Sequence, residues 1–143
     1  SDEKIENAVK LGAKGGVNYK NENWSKDLKK LSGGADLSID SIGGDTFLEL
    51  INLAKPGSKL VSFGATRGPV NNLVMPKVFF KQMDIRGSTM GNPQEFVDML
   101  KLYEEHELRP VIDSVYALED VDNAHEKMDQ GNVNGKILLE IPE

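Results

Sequence analysis

Apolar and polar positions along this chain follow two rhythms, helical and strand-like, that take turns from end to end. Ile5, Ala8, Val9 and Leu11 recur at helical spacing, with Ser1 placed to cap that helix and Gly12 to stop it. Val17, Asn18 and Tyr19 predict a short strand. Trp24, Leu28 and Leu31 mark one face of a second helix that ends at Gly33 and Gly34. A strand over 35–42 follows and closes in Gly43 and Gly44. Asp45 is placed to cap a third helix, with Phe47, Leu48, Ile51, Leu53 and Ala54 on its buried side. Pro56 and Gly57 then turn the chain into a strand over 59–64. Residues 66–76 are rich in Gly, Pro and Asn and predict a loop. Another strand is expected over 83–88.

Beyond Pro93 the pattern lengthens. Phe96, Val97, Met99, Leu100 and Tyr103 define an amphipathic helix. Alternation and β-branched residues predict a strand over 111–116. Asp120 is placed to cap a helix that runs through Met128 and ends at Gly131, and a last strand is expected over 136–141. Strands and helices that alternate in this way predict an α/β fold with parallel strands and helical crossovers. The three middle strands end in Gly43, Gly64 and Gly87–Ser88. Ligands of open parallel sheets bind beyond the carboxyl ends of strands, and glycine there lets backbone approach a flat ligand. The alternative is that each glycine simply serves its own turn.

Composition narrows the partner classes. The chain has 143 residues, the size of one ordinary domain, and can bury a core without disulfides. Its net charge is −6 with both signs mixed along the sequence, so no basic stripe offers itself to nucleic acid. No apolar run approaches the length of a membrane span, and the charged opening Ser1-Asp2-Glu3-Lys4 gives no expectation of a secretory leader. Cysteine is absent, which excludes disulfides and thiolate zinc sites within these residues and suits a cytoplasmic setting.

Candidate chemistry is sparse. No strand is followed by G-x-G-x-x-G, the turn that leads a helix N-terminus to a pyrophosphate. No P-loop, metal-ligating cluster or Ser–His–Asp set can be placed, and His106 and His125 read as solvated helix residues. Asp40 sits in a strand motif and reads as structural, bonding to backbone at the strand end. The expectation is a nucleotide-binding-type domain that starts after its phosphate-binding turn. It would carry the flanks of a cofactor site and not its centre.

The stretches SDEKIENAVKLGA, GVNYK, GADLSIDSIGGDTF, LAKPGSKLVSFGA, DIRGSTMGNPQEFVDML and YALEDVDNAHEKMDQGNVNGKILL stand in an order that covers nearly the whole chain. Together they resemble the medium-chain dehydrogenase/reductase superfamily, in its quinone-oxidoreductase and zinc-type alcohol-dehydrogenase-like branch. The resemblance implies a partial Rossmann-like, doubly wound parallel sheet. In the order 3-2-1-4-5-6 it would lack its first strand and nearly all of its second. Residues 1–92 would be a truncated dinucleotide-binding domain. Residues 93–143 would be the remaining helix and a C-terminal return segment leading towards the parent's catalytic domain.

The resemblance also implies site residues. Lys4 and Tyr19 match a pair that holds the adenosine 2′-phosphate of NADP(H), with Ser1 nearby as a hydroxyl donor. Ser41, Ile42 and Gly43 match the stretch lining the adenosine and ribose. Phe63 and Gly64, with Ser88 and Thr89, match the stretches lining the nicotinamide. None is a catalytic acid or base, and no zinc ligand lies in this chain. The implied cofactor is NADP(H), with NAD as the alternative, since a phosphate wants a cation where a free ribose wants a carboxylate. The parent would transfer a hydride between NADP(H) and a carbonyl or alcohol, a quinone or an activated alkene. The piece alone is expected to be inactive and to bind NADPH weakly or not at all. The competing reading is a non-catalytic assembly module. Either way, the bare edge of the strand over 36–42 is expected to drive homodimerisation or to be covered by the amino-terminal helix.

Overall fold

The computed structural model describes residues 1–142. The chain forms two compact units, one covering Ser1–Met90 and the other beginning at Gly91.

In the first unit, helix α1 spans Asp2–Lys10, and the Ser1 hydroxyl caps it by accepting from the Lys4 amide at 3.4 Å. Residues 17–19 do not form the expected strand. A strand needs a neighbour to take its amides and carbonyls, and none lies beside them among the described residues. Asn18 instead closes a local turn. Its Oδ1 accepts from the Lys20 amide at 3.2 Å, and its carbonyl accepts from the Asn21 amide at 3.0 Å. Helix α2, Trp24–Ser32, ends in Gly33, whose φ of +70° is the left-handed stop that glycine allows.

Strand β1, Ala35–Asp40, leads into helix α3, Gly44–Leu53. Gly43, and not Asp45, occupies the cap position of α3; Asp45 lies within its first turn. The turn ahead of α3 is already held by another carboxylate, that of Asp40. Strand β2, Ala54–Ser62, starts directly where α3 ends. Pro56 and Gly57 therefore form a bulge within β2, and the register jumps from Ala35↔Ala54 to Leu37↔Lys59. Helix α4, Met75–Phe79, overlaps the end of the expected loop. Pro76 opens it, and its fixed φ suits the first turn of a helix although it reads as a loop signal in sequence. Strand β3, Asp84–Gly87, completes a parallel sheet in the order β1-β2-β3.

Phe47, Ile51 and Leu60 form the buried core of this unit, with Leu50, Val70, Val78 and Met83 packed against it. Ser38 and Asp40 of β1 are buried, whereas Leu37 and Ile39 on the opposite face are 56% and 68% exposed. The carboxyl end of α3 is closed by Lys81. Its Nζ donates to the carbonyls of Ile51, Asn52 and Ala54 at 2.6, 3.0 and 2.8 Å. Burial lowers the pKa of this ammonium, helped by the charges of Lys29 and Lys77.

In the second unit, helix α5, Pro93–Glu105, opens with a reciprocal capping box between Asn92 and Glu95. Strands β4, Ile112–Ala117, and β5, Lys136–Glu140, pair in parallel. A 3₁₀ turn, Leu118–Asp120, leads into helix α6, Val121–Asp129. Asp120 occupies the expected cap position of α6, but its side chain makes no capping bond. Asp113 ties this unit together. Its carboxylate pairs with the Lys127 ammonium and accepts from the Asn134 amide at 2.8 Å and the Ser114 hydroxyl at 2.9 Å. These bonds, that to Lys127 foremost, hold the Asp113 carboxyl down at about 2. Among the described residues, no helix is long and apolar enough to cross a membrane.

A candidate cofactor edge at the strand ends

The three strands of the first sheet finish level with one another. Asp40 pairs with Ser62, and Ser62 with Gly87. The ladder continues one step further: the Phe63 amide donates to the Asp40 carbonyl at 3.0 Å, and the Ser88 amide to the Ser62 carbonyl at 2.9 Å. The row of carboxyl ends is thereby fixed as one edge, the position at which open parallel sheets take ligands.

Asp40 organises that edge. Its side chain is buried, and its Oδ1 accepts from the Ile42 amide at 3.0 Å. Both of its oxygens lie within reach of the Gly43 amide, at 3.3 and 3.2 Å. The hydroxyl of Ser62 donates to Oδ2. A carboxylate that gathers amides in this way sets the path of the backbone that leaves the strand.

Glycine acts at two of the three strand ends. A Cβ on Gly64 would stand 2.7 Å from the Ser41 carbonyl oxygen, so only glycine permits this approach. Gly43 has φ +69° and lies against the loop after β2, where a Cβ would meet the Gly68 carbonyl oxygen at 3.0 Å. Gly87 differs, since a Cβ there would meet nothing within 4 Å. The loop after β2 is stitched to the turn after β1. The Arg67 amide donates to the Ile42 carbonyl at 2.9 Å, and the Gly44 amide to the Gly68 carbonyl at 3.1 Å.

A cleft of about 310 Å³ opens at this edge, with Tyr19, Trp24, Ile39, Ser41, Ile42 and Thr46 among its walls. It brings together Tyr19, Ser41 and Ile42 of the residues expected from sequence, with Gly43 in the adjoining turn. Phe63 follows β2 and is exposed, as are Ser88 and Thr89 beyond β3; these lie on the same sheet edge and do not line the cleft. Ser1 and Lys4 belong to the first turn of α1, where the Ser1 hydroxyl serves as the helix cap. That turn is tied to the neighbour of Tyr19, because Asn18 Nδ2 donates to Asp2 Oδ1 at 3.3 Å. A roomier cavity of about 450 Å³, walled by Glu22, Lys29, Glu49 and Asn52, shares only Trp24 with the cleft and lies away from the strand ends.

Arg67, which no motif of the sequence marks, also reaches this edge. Its guanidinium lies over the Tyr19 ring, 5.1 Å from the centroid. The one available signal was a single cation in a Gly- and Pro-containing loop just after a strand end.

The sequence model of the zinc-binding dehydrogenases matches residues 11–139. The chain belongs to the zinc-binding dehydrogenase family. It is 34% identical to the zinc-type alcohol dehydrogenase-like protein YogA of Leptosphaeria maculans, over 99% of this chain and 42% of that protein. It is 28% identical to the quinone oxidoreductase-like protein 2 of Bos taurus, over 99% of this chain and 43% of that protein. The crystal structure of an NAD-dependent alcohol dehydrogenase superposes with a TM-score of 0.88 at 33% identity, covering 99% of this chain and 42% of that one. The chain thus spans less than half the length of these relatives, and its parallel strands match the Rossmann-like cofactor domain of such dehydrogenases.

The family name implies zinc, and the residues here do not fit it. The chain has no cysteine, and no group of three His, Asp or Glu residues is placed to hold a metal among the described residues. A nicotinamide dinucleotide fits better. The edge offers backbone that glycine leaves open at Gly87, where a Cβ would meet nothing within 4 Å, and a mostly apolar cleft of a size for a flat base.

Proposed function

We propose that this chain is the distal part of an NADP(H)-dependent oxidoreductase, with residues 1–92 belonging to its cofactor domain. The supporting observation is the cleft that gathers Tyr19, Ser41 and Ile42 at the carboxyl ends of in-register parallel strands. Lys4 and the Tyr19 hydroxyl would hold the 2′-phosphate, while Ser41, Ile42 and Gly43 would line the adenosine and ribose. Backbone groups at Phe63–Gly64 and Ser88–Thr89 would orient the nicotinamide end. When bound, the nicotinamide supplies or accepts the hydride, and these residues supply position. The substrate class is a carbonyl or alcohol, a quinone or an activated alkene, in a cytoplasmic homodimer.

Alone, the chain would be inactive and would bind NADPH weakly. Its described helices include none led by a glycine-rich turn of the kind that holds a pyrophosphate. The test is full-length protein titrated with NADPH and NADH and then offered aldehyde, quinone and enone substrates, with cofactor oxidation followed by absorbance. Tighter NADPH binding and turnover of at least one class are expected; no binding of either dinucleotide would overturn the reading. An NAD preference is the nearest competitor. It draws on the NAD-dependent relative and on the Asp2 carboxylate beside Asn18.

A second reading, an assembly module, is favoured by β1. Among the described residues this strand pairs on one side only, and Leu37 and Ile39 are exposed on its open face. Absence of any dinucleotide binding, together with a dimeric mass by light scattering, would select it.

A further inference from the structure

Arg67 reaches the cofactor edge from the loop after β2 and touches it at two places. Its amide is bound to the Ile42 carbonyl at 2.9 Å, on the turn that floors the cleft. Its guanidinium lies 5.1 Å from the centre of the Tyr19 ring, on the cleft's aromatic wall. The loop that carries it is preset: the Gly68 amide donates to the Ala65 carbonyl at 2.8 Å, and the Gly68 carbonyl accepts from the Gly44 amide.

Among the described residues, no carboxylate forms an ion pair with Arg67, although the chain carries a net charge of −6. A guanidinium on an aromatic ring engages through its flat face. Its N–H donors lie in its own plane and stay available to the oxygens of an anion. The result is an exposed cation, without an ion pair among the described residues, over the ring of a tyrosine whose hydroxyl is a second donor. A phosphate dianion is the ligand chemistry that uses both groups at once.

We propose that Arg67 is a specificity-determining residue that binds the 2′-phosphate of an adenine dinucleotide together with the Tyr19 hydroxyl. This rests on the NADP(H) reading above and adds to it a residue that makes the site select phosphate over a free ribose hydroxyl. The cation–π contact with Tyr19 holds the cation in place before the ligand arrives. Little side-chain freedom is then lost on binding.

Calorimetry on the full-length protein tests this, with adenosine 2′,5′-bisphosphate and adenosine 5′-monophosphate as probes. The unaltered protein is expected to favour the bisphosphate. Arg67→Gln should lose about tenfold or more of affinity for the bisphosphate, the scale of a charged hydrogen bond, and keep its affinity for the monophosphate. Arg67→Lys should retain part of the preference, and circular dichroism should show both variants folded, since the side chain is exposed. Equal losses for the two nucleotides, or an unchanged preference in Arg67→Gln, would overturn the role of Arg67 while leaving the NADP(H) reading standing. An unaltered protein that does not discriminate, or binds neither probe, would overturn both.

Discussion

The hydroxyl of Ser62 donates to the buried carboxylate of Asp40 at 3.3 Å, across the seam between β1 and β2. The same carboxylate holds the amides of Ile42 and Gly43. Asp40→Ala strands those two amides, and a buried donor without a partner costs about 1–3 kcal/mol. Ser62→Ala removes one hydroxyl and should cost about 0.5–1.5 kcal/mol. Urea unfolding of the two variants should therefore rank Asp40→Ala as the more damaging. The reverse order would show that the turn does not depend on this carboxylate.

Gly64 and Gly87 both stand at strand ends and should respond differently. Alanine at Gly64 forces its Cβ to within 2.7 Å of the Ser41 carbonyl, and backbone must move to admit it. A destabilisation of about 1–3 kcal/mol is expected, as for other overpacked sites. Alanine at Gly87 meets open space and should change stability by less than about 0.5 kcal/mol. Equal effects in thermal unfolding would contradict the close approach at Gly64.

Asp113 should make the second unit acid-sensitive. Its carboxyl titrates at about 2 in the folded chain against an ordinary 3.8, so the unfolded chain takes up the proton first as pH falls. The stability it contributes is complete above the ordinary value and is lost as pH falls towards about 2. Lys127 gives the mirror effect, because its pKa is raised above 10.5 by the same pair. Its contribution is complete below that value and fades as pH rises through the raised one. Urea midpoints measured across both ranges should slope in the native chain and flatten in Asp113→Asn. A slope that survives this substitution would place the effect elsewhere.

Leu37 is more than half exposed on the open face of β1, so Leu37→Lys should leave the fold of the chain unchanged. If that face mediates self-association, the charge should lower the mass seen by light scattering at high concentration. An unchanged dimer would place the contact elsewhere.

Much of this architecture was legible because burial writes a period into sequence. The strands over 35–42, 59–64 and 83–88 were visible from runs that the core demands, and their observed ends differ by a few residues. Residues 17–19 misled because Val and Tyr favour strands while Asn18 draws the backbone into a local turn. Helix α4 was hidden because Pro76 marks a loop in one context and a first helical turn in another. Tyr19 and Ile42 are expected through resemblance alone, and the cleft they share exists only once α2 packs on α3 beside β1. Arg67 had no local signature, since its partner Tyr19 is remote in sequence and the contact exists only after folding. Lys81 was invisible for a related reason: its partners are backbone carbonyls, which every residue possesses.

That lysine has a practical consequence. Its three N–H donors are matched by three carbonyls at the corner where α3 passes into β2. An acylating reagent needs the nitrogen lone pair, which is reachable only when the corner lets go. The labelling rate of Lys81, set against that of an exposed lysine such as Lys10, therefore times the breathing of this corner. The native sequence carries its own stopwatch for local opening, with no foreign probe introduced.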